Sequence, residues 1–114
     1  MQKLRTNMKE KKYEVTLAGR AEEMLLARTE FLARVSLSAA HMLISEFRDV
    51  ESKLIEDPYM FPYADELDVP GIPLETYKKC IFYKRYKAIF LIDENNVFID
   101  AIIDCRQENN NLYM

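Results

Sequence analysis

Tyr86-Lys87-Ala88-Ile89-Phe90-Leu91-Ile92-Asp93-Glu94-Asn95-Asn96-Val97-Phe98-Ile99-Asp100-Ala101-Ile102-Ile103-Asp104-Cys105-Arg106 is the stretch that decides the fold. Two runs rich in β-branched and aromatic residues, 86–92 and 97–106, flank an Asp-Glu-Asn-Asn cluster. That pattern reads as a β-hairpin, because asparagine tolerates the positive φ that tight turns demand. Strict alternation along the second run puts Val97, Ile99, Ala101, Ile103 and Cys105 on one face. Phe98, Asp100, Ile102, Asp104 and Arg106 fall on the other. One step upstream, Tyr77 to Tyr83 is a further strand of the same composition, with Lys84-Arg85 at its turn. The last third is therefore a three-stranded antiparallel meander.

Working further back, all four prolines lie between 58 and 73, together with Gly71. They make a long, stiff connection rather than a domain boundary, since too little chain follows for a second core. Before it, Ala40, Leu43, Ile44, Phe47, Val50, Leu54 and Ile55 recur at helical spacing, with Ser36 or Ser38 as N-cap and Pro58 as the stop. Ala21, Met24, Leu25, Arg28, Phe31, Leu32 and Val35 mark an earlier amphipathic helix. The short joint between the two predicts a helical hairpin. Tyr13 to Leu17 alternates apolar and polar and reads as a first strand, ended by Gly19. The order is one strand, an α-helical hairpin, then the meander. That is an α+β fold, with the helices packed on one face of an antiparallel sheet. Residues 1–12 are expected to be a flexible basic leader, and 13–114 a single domain whose tail is polar until Leu112-Tyr113.

Composition agrees with one core. Of 114 residues, 49% are apolar and 31% charged, enough to bury a core without a disulfide or metal staple. The longest apolar runs, such as Ala88 to Ile92, are too short to span a bilayer. The charged N-terminus has no apolar stretch behind it, unlike a secretory signal. Cys80 and Cys105 are too few for a disulfide framework or a zinc site, and read as buried thiols in a reducing cytoplasm. The net charge of −3 hides a partition: +4 over residues 1–12, −8 over 13–75 and +1 over 76–114. Residues 76–92 carry five bases and no acid. The total argues against a uniformly basic nucleic-acid binder, but leaves room for a compact cationic sheet face.

Several strings in this order resemble the RelE/ParE superfamily of type II toxin–antitoxin toxins, the plasmid-stabilisation group. Lys84-Arg85-Tyr86-Lys87-Ala88-Ile89-Phe90-Leu91-Ile92-Asp93-Glu94 is similar to that family's basic, Tyr, apolar-run, Asp-Glu hairpin. Val97-Phe98-Ile99-Asp100-Ala101-Ile102 up to Arg106 is similar to its closing strand, and Pro58-x-x-x-Pro62 to a step after its second helix. The likeness covers about residues 13–113. Two departures stand out: Arg106 is followed by Gln107 rather than a second arginine, and the chain is not markedly basic.

The resemblance implies a cytoplasmic bacterial toxin held by a cognate antitoxin, whose C-terminal segment adds a helix or strand to its surface. It implies one of two activities. RelE-like members resemble metal-independent endoribonucleases that cut messenger RNA on the ribosome, inhibiting translation; ParE-like members resemble non-enzymatic poisons of DNA gyrase. An inactive relative that only binds antitoxin is a third outcome. No cofactor is implied. Aligned by the hairpin, Lys78, Lys87 and Arg106 fall at or near functional basic positions of the RelE-like toxins, and Tyr113 near a substrate-contacting tyrosine. A further basic position is Cys80 here.

Metal-free RNA cleavage needs a base for the 2′-hydroxyl, positive charge for the phosphorane and an acid for the leaving oxygen. The single His41 excludes a two-histidine mechanism, so lysine and arginine must serve. Lys78 or Lys87 would activate the hydroxyl, Arg106 would stabilise or protonate, and Tyr113 would position a base. Lys79, Lys84 and Arg85 would bind substrate. Each has a plainer reading. Strand lysines are commonly solvated, edge-protecting charges; Arg106 lies two residues from Asp104, within reach of an ion pair; Tyr113 belongs to a terminal segment; and Tyr83 and Tyr86 suit packing between sheet and helices.

Overall fold

A computed structural model describes residues 12–105. Strand β1 (Glu14–Leu17) leads into helix α1 (Gly19–Val35) and helix α2 (Leu37–Glu56), then a short 3-10 turn (Pro58–Met60). Strands β2 (Lys78–Phe82), β3 (Tyr86–Asp93) and β4 (Asn96–Asp104) follow. The architecture is α+β, with the hairpin helices on one face of a four-stranded sheet of order β1-β4-β3-β2. The meander is antiparallel, but β1 runs parallel to β4, with Glu14 opposite Asn96 and Leu17 opposite Ile99. The sheet is thus mixed, not wholly antiparallel as expected, because the chain between β1 and β4 returns to the same end of the sheet.

Local chemistry explains the helix boundaries. Gly19 opens α1 instead of merely closing β1: Ala18 donates its N–H to Ile99 O (2.9 Å) and accepts the first helical bond from Glu22 N. Ser36 alone joins the helices, ending α1 and capping α2 with a hydroxyl that accepts from Ala39 N at 3.2 Å. Pro58 then stops α2. The stripe of α2 is buried as its periodicity demands, through Ala40, Leu43, Phe47, Val50 and Leu54. That of α1 is only half used: Ala21 and Leu25 are buried, whereas Met24, Phe31 and Val35 are exposed.

The helices cover Cys80, Phe82, Tyr86, Ala88, Phe90, Val97, Ile99 and Ile102. Ile99 and Ile102 cannot share a face in a regular strand. A bulge resolves this: Ile89 pairs with Ala101 but Phe90 with Ile99, so Asp100 has no opposite partner. Beyond it the alternation shifts by one, bringing Ile102 into the core and leaving Ala101 and Ile103 half-buried on the other face. The expected face assignment therefore holds for Val97 and Ile99 and reverses afterwards.

Positive φ also falls elsewhere than expected. In the 93–96 turn it belongs to Glu94 (56°), not to an asparagine. At the β2–β3 turn, Tyr83 (55°) and Lys84 (52°) both adopt it, an uncommon choice for bulky side chains. Glu46 of α2 holds that turn by accepting from Tyr83 N at 2.8 Å.

Candidate functional site

Within a strand, Lys78, Cys80 and Phe82 alternate with Lys79 and Ile81, and Tyr86, Ala88 and Phe90 with Lys87 and Ile89. Since Cys80, Phe82, Tyr86, Ala88 and Phe90 meet the helices, Lys79 and Lys87 share the opposite face. Lys78 belongs to the helix side. The two lysines proposed for activating the 2′-hydroxyl are therefore separated by the sheet.

Lys78 is buried rather than solvated. Its Nζ donates to Phe61 O at 2.7 Å and lies 4.0 Å from the centroid of the Tyr63 ring. A bridge between Tyr63 and Lys78, with Lys79 N donating to Pro62 O, covers the outer edge of β2. Lys78 thus fastens the start of the Pro-rich connection to the sheet.

On the opposite face, the same connection folds back as a strap and delivers Asp68. This carboxylate is only 2% exposed; it accepts from Lys87 Nζ and, through Oδ2, from Lys79 Nζ at 2.9 Å. Asp65 prepares it. Asp65 Oδ1 accepts from Leu67 N and Asp68 N, while Asp65 N donates back to Asp68 Oδ2 at 2.9 Å. Asp65 also stands 3.8 Å from Lys79. Burial by itself would raise the Asp68 pKa, but the hydrogen bonds from Lys87, the Asp65 N–H and Lys79 outweigh it and hold the carboxyl well below its ordinary 3.8.

Beside this triad a cavity of about 150 Å³ lies between strap and sheet, touching Val69, Ile72, Ile89, Ala101 and Ile103. Its polar end is the bulge residue Asp100. Tyr77 Oη donates to Asp100 Oδ2 at 2.8 Å, which raises the tyrosine pKa, and Arg20 Nε donates to the Asp100 carbonyl at 2.9 Å.

The remaining bases behave differently. Arg85 Nη2 donates to Asp104 Oδ2 at 3.1 Å and its Nε contacts both oxygens at 3.3 Å; that bonding pushes the guanidinium pKa up. Arg85 also lies over the Tyr86 ring. Lys84 is exposed at the turn, with no ion pair among the described residues. Arg106 and Tyr113 lie outside the described residues. Cys80 is buried and burial raises its thiol pKa, so it is not poised as a nucleophile. Among the described residues, no group of three or more His, Cys, Asp or Glu could hold a metal ion, and no helix is long and apolar enough to cross a membrane. The chain matches no family model and no curated protein sequence.

The five bases of 76–92 thus do not form one cationic face: Lys79 and Lys87 share the open face, where Asp68 holds both, while Lys78 sits on the helix side and Arg85 pairs with Asp104. Sequence reading missed Asp68 as the partner of Lys79 and Lys87. The available signal was Asp65-x-x-Asp68, a pattern suited to an Asx turn, immediately before Val69-Pro70-Gly71.

Proposed function

We propose that this chain is the toxin of a type II toxin–antitoxin pair, built on the RelE/ParE plan and neutralised in the cytoplasm by a cognate antitoxin. One observation carries the reading. The stretches that resemble the family form the two central strands, β3 and β4, of a sheet backed by the helical hairpin, in the element order the resemblance implies. The activity is ribosome-dependent cleavage of messenger RNA. Lys87 and Lys79 on the open face serve the phosphate and hydroxyl chemistry, joined by Arg106 and Tyr113. Lys78, held on the helix side, has a structural part.

A second reading, non-enzymatic poisoning of DNA gyrase, is favoured by the ion-paired state of Lys79, Lys87 and Arg85. A toxin that acts by docking needs no unencumbered base. Induction without antitoxin, followed by mapping of RNA ends and DNA breaks, separates the two. Messages cut at codon positions support the nuclease. Broken DNA with intact messages supports the gyrase poison, and full growth at high expression overturns both.

A further inference from the structure

The Asp68 carboxylate is a monoanion bridging two ammoniums on one sheet face, which is the charge and the geometry that a phosphodiester would bring to the same place. Apart from Asp65, 3.8 Å from Lys79, little else among the described residues holds the segment that carries it. Between residues 65 and 76 the backbone hydrogen bonds of Asp68 N and Val69 N close only on Asp65 O, within the strap. The strap is clamped at its base, where Ala64 N donates to Tyr77 O at 2.8 Å. Its apolar residues contribute small burial: Leu67 and Leu74 are exposed, Leu74 by 71%, and a cavity lies beneath Val69 and Ile72. Gly71 (φ 81°) and Glu75 (φ 64°) both adopt left-handed backbone, and for Glu75 that conformation is strained.

We propose that Asp68 is an internal plug: the strap occupies a phosphate site formed by Lys79 and Lys87, and lifts as a lid when a backbone phosphate of single-stranded RNA replaces the carboxylate. This rests on the nuclease reading and adds its regulation. The exchange conserves charge, one anion for another between the same two ammoniums, and leaves the clamp at Ala64 and Tyr77 as the hinge. Lifting also uncovers Ile89, Ala101 and Ile103, an apolar strip beside the two cations that suits the face of a base.

The test measures binding of a fluorescent ten-nucleotide oligouridine RNA to the full chain. Asp68→Asn is expected to bind about tenfold more tightly than the native chain, since the competing closed state loses its anion. The gain should vanish in the triple variant that adds Lys79→Ala and Lys87→Ala. Unchanged affinity in a folded Asp68→Asn chain, or a gain that survives loss of both lysines, overturns the plug and leaves a simple structural fastening. Should Asp68→Asn fail to fold, Asp65→Ala decides instead. Asp65 has a side chain 61% exposed, and its loss undoes the turn that presents Asp68. A gain there supports the plug; equality with the native chain rejects it. The two readings fail separately. Uncut messages on induction with a gain in RNA affinity reject the nuclease and keep the plug, whereas cut messages with no gain reject the plug alone.

Discussion

Arg85 and Asp104 meet at the end of the β3–β4 ladder, where the guanidinium donates to a carboxylate whose side chain is 1% exposed. The Arg85 backbone also fixes the turn: Arg85 O accepts from Cys105 N at 2.7 Å and Arg85 N donates to Phe82 O. Arg85 is therefore bound up in the structure of the hairpin's mouth as well as being a surface cation.

Arg85→Ala should destabilise the fold by about 2–3 kcal/mol, since it strips a partner from a buried carboxylate. Arg85→Lys should recover only part of this, because an ammonium cannot reproduce the forked contact. Denaturant titration of the three chains checks both statements. A loss below about 0.5 kcal/mol in Arg85→Ala would place the pair with ordinary surface ion pairs.

Asp68 sets the acid limb of stability. Its folded pKa lies below the ordinary 3.8, so its contribution is fully present above that value and is lost as pH falls below about 4 towards the folded pKa. The stability of Asp68→Asn should therefore be lower by roughly 2 kcal/mol at neutral pH, and the gap to the native chain should narrow as pH falls below about 4 towards the folded pKa. Parallel curves over that range would show that another carboxylate governs acid unfolding.

Among the described residues, Tyr86 is the deepest tyrosine, and its buried hydroxyl finds no hydrogen-bond partner there. Burial pushes its pKa up, opposed by the nearby Arg85. Tyr86→Phe removes an unsatisfied polar atom while keeping the ring against Phe82 and Tyr83, so it should be neutral or stabilising by up to about 1 kcal/mol. A clear fall in melting temperature would reveal a partner for that oxygen.

Lys84 has a φ of 52° on an exposed turn. Lys84→Gly should stabilise the hairpin by about 0.5–1 kcal/mol through relief of left-handed strain, partly offset by the extra entropy of the unfolded chain. Lys84→Val should do the reverse. If both variants melt together, the turn carries no strain worth measuring.

Much of this architecture was readable along the chain. Period-two alternation located β1 and β4, and aromatic and β-branched composition β2 and β3, to within a residue or two, and Ser36 and Pro58 bounded α2 where their chemistry requires. The stripe of α2 matched its burial at Ala40, Leu43, Phe47, Val50 and Leu54, with Ile44 and Ile55 half-buried at its border. The stripe of α1 matched only in part, with Ala21 and Leu25 buried. Met24, Phe31 and Val35 satisfy helical periodicity yet stay exposed.

The candidate site was legible as an inventory of bases and not as an arrangement. Counting five bases and no acid over 76–92 was correct, yet the acids that answer them, Asp65, Asp68 and Asp104, lie outside that window. Alternation alone already put Lys78 and Lys87 on opposite faces once the register was known, but register depends on which strand pairs with which.

What the amino-acid order determined by itself was local: hydrophobic period, cap and breaker chemistry, and hence the strand–helix–helix–meander succession. Three features were decided only in the folded chain. They are the parallel seat of β1 beside β4, the bulge that frees Asp100 and brings Ile102 into the core, and the strap that carries Asp68 onto Lys79 and Lys87. The first and third join separate segments of the chain, and the bulge, though within one hairpin, sets Ile102 against helices remote from it in sequence. Their free energy comes from pairing, burial and charge neutralisation that arise only when those segments meet, so no window of neighbouring residues contains it.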